Sequence, residues 1–97
     1  MKILAVSRDL KPFPKDPADI LRREAQVVWA LQQEGALREI YFVRGGEKAV
    51  LVLEAASAEE GKALLARLPL VAEGYIEFEL DVLMPYPGFA RLFRDGR

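Results

Sequence analysis

Apolar and polar positions repeat along this chain with two different periods. Lys2–Arg8 carries Ile3, Leu4, Ala5 and Val6 in succession, the mark of a strand covered on both faces. Leu37–Arg44 and Glu47–Glu54 are β-prone runs separated by Gly45-Gly46. That pair predicts a hairpin with a two-residue type I′ turn, which needs positive φ at both central residues. Tyr75–Leu83 alternates strictly, with Ile76, Phe78, Leu80 and Val82 on one face and Glu77, Glu79 and Asp81 on the other. Elsewhere the period lengthens to that of a helix. Ile20, Leu21, Val27, Val28 and Leu31 form one stripe; Ala58, Gly61, Leu64, Leu65 and Leu68 form another.

Local signals fix the ends of these elements. Asp16 caps the first helix, Pro17 takes its first turn, and Gly35 closes it after Glu34. Ser57-Ala-Glu-Glu60 is a capping box for the second helix, which Pro69 stops. The resulting order is βαββαβ, the ferredoxin-like split βαβ of the α+β class, with helices on one face of an antiparallel sheet. The first and third strands are then central, matching their two-sided apolar character. A sheet with apolar residues on its helix-free face needs a cover there, and a second copy gives a dimeric α+β barrel. Residues 1–97 read as a single ferredoxin-like domain whose apolar tail, 84–97, packs across a neighbour. The alternative is a tail folded on its own subunit.

Composition narrows the chemistry. The chain has no Cys and no His, which excludes disulfides, thiolate nucleophiles, imidazole acid–base work and the usual zinc sites. Thr and Asn are also missing, which fits a thermophilic source. A net charge of −1 with 30% charged residues and no basic cluster predicts no nucleic-acid partner. No apolar run reaches the roughly 18 residues of a membrane span, so a cytoplasmic protein is expected.

The faces of the hairpin sort the remaining candidates. With Gly45-Gly46 central, Phe42 faces Ala49, Ile40 faces Leu51 and Arg38 faces Leu53 on the helix side. The opposite face carries Tyr41, Glu39 and Glu54, together with Glu77, Glu79 and Asp81. These groups are candidates for a ligand pocket or, more often in such a set, for a solvated or cross-paired dimer surface. Tyr41 also suits cross-strand packing on Val50. Glu24 falls in the middle of the first helix's apolar stripe, where an unpartnered charge is costly. Arg38 is the cation expected to reach it. The pair reads either as a buried salt bridge or as a general acid/base carboxylate beside a cation; a Glu24 that escapes to solvent is the third option. Trp29 lies opposite the stripe, suited to an oligomer contact more than to a substrate platform.

Leu31-Gln-Gln-Glu-Gly-Ala-Leu-Arg38, the hairpin, Ser57, Leu68-Pro-Leu70 and Ile76-Glu77 together resemble the muconolactone isomerase-like proteins. The likeness runs from about Glu24 to Asp81; the first strand and the tail differ from the isomerase. The resemblance implies a double-bond shift in a lactone ring, a ring-shaped homo-oligomer, and no metal or organic cofactor. Glu24 and Arg38 match the family's polar residues. The expected activity is proton transfer on a small carboxylated or lactone substrate. The alternative is a non-catalytic ligand-binding or structural oligomeric module.

Overall fold

The two periods fold into a four-stranded antiparallel sheet with helices on one side, in a computed structural model that describes residues 1–94. The last three residues of the tail, 95–97, lie outside the described residues. In chain order the elements are β1 (Lys2–Asp9), α1 (Ala18–Gln33), β2 (Leu37–Phe42), β3 (Ala49–Glu54), α2 (Ala58–Leu65), α3 (Pro69–Ala72) and β4 (Ile76–Val82). A 3-10 turn (Pro87–Phe89) and α4 (Ala90–Phe93) follow. The sheet order is β2-β3-β1-β4, so the two strands that are apolar on both faces are indeed the central ones.

Alternation decides which side chains meet the helices. Ile3, Ala5, Leu51 and Leu53 are buried with Leu31 of α1, Leu65 of α2 and Leu68, forming the main core. A second cluster joins Ile20 of α1 to Leu70 and Ile76. On the helix-free face Leu4, Val6, Val50 and Val52 are half-buried, an apolar surface without a helix over it.

The caps behave largely as their residue types dictate. α1 starts one residue later than expected, with Pro17 and not Asp16 at the N-cap; Asp16 accepts the Ala18 amide at 3.3 Å from outside it, and Gly35 leaves the helix at φ 79°. Ser57 Oγ accepts the Glu60 amide while Glu60 reaches back to the Ala56 amide, each at 3.1 Å. α2 ends at Leu65, short of the stop expected at Pro69, so Leu68 lies outside it. Pro69 instead opens α3, a short helix the sequence reading does not contain, and proline suits a first helical position because its missing N–H has no partner there anyway.

Two details of the hairpin differ from expectation. Only Gly45 has positive φ, at 72°, and Val43 O accepts the Gly46 amide at 3.0 Å. The turn is therefore centred on Arg44-Gly45, as in a type II turn, and the strands are joined across residues 43–48. The pairs Phe42↔Ala49 and Ile40↔Leu51 survive this change. Beyond them the ladder bulges between Leu37 and Glu39, and Leu37, not Arg38, pairs with Leu53. Leu37 is nearly fully buried. The bulge lets an apolar residue take the inward position and turns the guanidinium out.

The tail leaves the sheet. An eight-residue strand spans about 26 Å, yet the described chain measures 65 × 29 × 19 Å. Within the tail Tyr86 and Phe89 pack edge to face at 5.0 Å, while Met84 is 80% and Phe93 84% exposed. The tail is thus not folded into its own core. Among the described residues no helix is long and apolar enough to cross a membrane.

Candidate functional site

Between α1 and the helix side of the sheet lies a cleft of about 680 Å³, within the range of small-molecule pockets. Its floor is the sheet: Ser7, Ile40, Ala49, Leu51 and Phe78. Successive turns of α1 supply Leu21, Glu24, Val28 and Trp29 along one wall, and Leu68, Leu70 and Ile76 close the other. The loop between β1 and α1, which carries Pro12 and Pro14, contributes Phe13, held edge to face on Tyr75 at 5.7 Å.

Glu24 is the half-buried carboxylate of this wall. Its Oε1 accepts the Leu70 amide at 2.9 Å. That amide belongs to the first turn of α3, where Leu68 offers no side-chain cap, so Glu24 satisfies a donor that would otherwise be orphaned. Burial pushes the Glu24 carboxyl above the usual carboxylate range, and the Leu70 hydrogen bond offsets part of this. A carboxylate made more basic in an apolar cleft is suited to accept a proton from carbon.

Arg38 is not brought to Glu24. Its Nε donates to Gly35 O at 2.7 Å, its side chain is exposed, and it does not line the cleft. Neither a buried Glu24–Arg38 salt bridge nor an escaped Glu24 describes the structure: the partner is a backbone amide, because the bulge at Arg38 reverses the side its register predicts. Trp29, expected on a surface away from the stripe, is 63% exposed but stands on the cleft wall.

The other candidates sit on the opposite face, as the alternation requires. Tyr41 donates to Glu39 at 2.9 Å, and this hydrogen bond raises the phenol's pKa. Glu54 meets the Met1 amine at 2.6 Å, which holds its carboxyl below the ordinary range. None of Tyr41, Glu39 and Glu54 lines the α1–sheet cleft. A smaller hollow of about 290 Å³ on the sheet lies elsewhere, among Val6, Arg8, Lys48, Glu77 and Glu79, and there Arg8 is paired with Glu77.

Sequence reasoning passed over Ser7. It continues the inward series Ile3, Ala5, Ser7 on β1 and is buried on the cleft floor. Its Oγ accepts the Ala49 amide at 2.7 Å, which leaves the hydroxyl proton to donate. A hydroxyl at an inward position of an apolar strand was the available signal. Among the described residues no group of three or more Asp, Glu, His or Cys is placed to hold a metal.

Comparison with known proteins follows the same geometry. A crystal structure of muconolactone isomerase superposes with a TM-score of 0.75 at 27% identity, covering 90% of this chain and 92% of that one. The 5-chloro-2-hydroxyhydroquinone dehydrochlorinase of Burkholderia phenoliruptrix, in complex with 2,5-dihydroxybenzoquinone, shares the fold at a TM-score of 0.59 and 14% identity, covering 91% and 98%. A search of curated protein sequences returned no match. The sequence profile described as muconolactone delta-isomerase matches residues 4–88, nearly the whole described chain, and the protein belongs to that family.

Proposed function

We propose that the protein is a cofactor-free isomerase, or a closely related proton-transfer enzyme, acting on a small carboxylated or lactone substrate in the α1–sheet cleft. The observation that carries this reading is Glu24, a carboxylate with a raised pKa on the wall of an apolar cleft. In the reaction Glu24 removes a proton from the carbon next to a carbonyl. The electron pair moves to the carbonyl oxygen as an enolate, and the protonated Glu24 returns the proton at the far end of the conjugated system. Substrate and product have the same composition, and the double bond has moved. The Ser7 hydroxyl supports the reading as a neutral donor on the same cleft floor. Family membership agrees with it.

The molecule is proposed to work as a homo-oligomer of at least two copies, with the exposed aromatic tail and the half-buried helix-free face as contact surfaces. The test of the activity is ultraviolet detection of double-bond migration in muconolactone and related unsaturated lactones. The wild-type protein shifts at least one of them. Glu24→Gln, folded by circular dichroism, does not. Undiminished turnover in the variant overturns the assignment of the base.

A further inference from the structure

We infer that the Ser7 hydroxyl holds the reacting carbonyl oxygen and steadies the charge that builds on it, as a fixed hydrogen-bond donor and not as a nucleophile. The inference rests on the cleft reading above and names the group that works opposite Glu24.

Ser7 is the one buried polar side chain among the described residues, 3% exposed. It follows Ile3 and Ala5 in the inward series of β1, so its side chain shares the helix face, which carries the cleft. Burying a hydroxyl is costly unless it is bonded, and here it is bonded on one side only. The β1–β3 ladder ends at the pair Val6↔Val50. One residue beyond it, the Ala49 amide turns to Ser7 Oγ at 2.7 Å. A hydroxyl also has a proton to give, and among the described hydrogen bonds Ser7 Oγ serves only as an acceptor. The group is enclosed by its own chain, and the other side chains of the cleft floor, Ile40, Ala49, Leu51 and Phe78, are hydrocarbon. The proton is left for a ligand in the cleft.

Three features suit this proton to an enolate. The Ala49 N–H pins the oxygen and polarises the O–H bond, which makes it a stronger donor. The surrounding walls are apolar, where a hydrogen bond to developing charge is worth more than in water. Glu24 stands on the α1 wall and Ser7 on the sheet floor, so a ring lying between them meets base and donor from different sides. In the step itself the proton on carbon passes to Glu24 and the electron pair moves onto the carbonyl oxygen. Ser7 keeps its own proton, and its hydrogen bond strengthens as the charge grows. A nucleophilic serine would need a base bonded to its hydroxyl. The group bonded to Ser7 Oγ among the described residues is itself a donor, the Ala49 amide, so acyl-serine chemistry does not suit this site.

Ser7→Cys and Ser7→Thr separate this role from that of satisfying Ala49, because each keeps a lone pair for the amide and only Thr keeps a strong donor. The readout is kcat and KM on a lactone that the wild-type chain isomerises. Ser7→Cys, folded by circular dichroism, is expected to lose about 10²–10³-fold in kcat with little change in KM. Ser7→Thr is expected to lose far less. Undiminished kcat in folded Ser7→Cys, or an equal loss in folded Ser7→Thr, overturns the donor role and leaves the Glu24 assignment standing. A second measurement keeps Ser7 intact. Muconolactone bound to Glu24→Gln is held unreacted, and its isotope-labelled ring carbonyl is read by infrared difference spectroscopy. The stretch is expected at lower frequency than for the same lactone in an apolar solvent, and an unshifted stretch overturns the inference. A wild-type chain that isomerises no lactone overturns the cleft reading and the inference with it.

Discussion

The Leu70 amide donates to the Glu24 carboxylate at 2.9 Å, joining α1 to the first turn of α3 across 46 residues of chain. One interaction does two things. It caps α3, and it orients a carboxylate on the wall of an apolar cleft. The two roles separate by substitution. Glu24→Ala leaves the Leu70 amide without its acceptor and is expected to destabilise the fold by about 1–3 kcal/mol. Glu24→Gln retains an oxygen for that amide, so denaturant unfolding at about pH 4, where the Glu24 carboxyl is largely protonated, should place it close to the wild type. Its turnover should fall by about 10²–10⁴-fold, the usual worth of general acid–base catalysis.

The raised pKa of Glu24 has a consequence for stability. Because its folded pKa lies above the unfolded value, the folded state holds the Glu24 proton more tightly. The stability linked to that proton is fully present below the unfolded pKa and is lost as pH rises through the folded one. Wild type and Glu24→Gln should therefore diverge as pH rises from about 4 to neutrality, with the variant gaining relative stability. Glu34 and Glu54, both shifted down by their partners, act with the opposite sign, but they cancel in this comparison. Urea midpoints measured across that pH range check it. A constant difference between the two proteins would remove the burial argument.

Arg38 provides the complementary control. Its guanidinium bonds Gly35 O outside the cleft, so Arg38→Ala should leave the pH dependence set by Glu24 in place and alter turnover by no more than a few-fold. A loss as large as that of Glu24→Gln would mean that the guanidinium reaches the reacting atoms by a route other than this chain's own cleft.

Ser57 isolates a purely structural contribution. Its hydroxyl caps α2 at the Glu60 amide, and Ser57 does not line the cleft. Ser57→Ala should cost about 1 kcal/mol, a fall of about 4–8 °C in Tm for a domain of this size, with turnover per folded molecule unchanged.

The exposed tail predicts association. Tyr86, Phe89, Leu92 and Phe93 are all more than half exposed, too much apolar surface to leave in water. Light scattering should find at least a dimer for the full chain, and truncation after Leu83 should reduce the assembly. A monomeric full chain would contradict the assignment of the tail as a contact.

Much of the fold was legible because it depends on short-range period and end signals. Alternation sorted the sheet faces, and Gly35, Ser57 and Pro69 marked helix boundaries through backbone chemistry that acts within a few residues. The site was only half legible. Glu24 stood out because a charge in an apolar stripe demands a partner, but the partner is a main-chain amide that no pairing of side chains reveals. Arg38 was misplaced because a bulge adds one residue to the strand and reverses every facing argument beyond it. Buried Leu37 gives the reason: the core has room for an apolar residue there, and burying Leu37 instead of a guanidinium is the less costly outcome. Trp29 was read first as an oligomer contact and only second as a substrate platform, because helical period alone does not register that a cleft takes in an outward helix flank.

The most direct test of Glu24 as the proton-transfer group is deuterium incorporation followed by NMR. Unsaturated lactones, muconolactone and its methyl ester among them, are incubated in D₂O with the wild-type chain or Glu24→Gln. The account predicts that wild type exchanges the proton next to the carbonyl faster than buffer alone, and that Glu24→Gln does not. Equal exchange by the two proteins would contradict it.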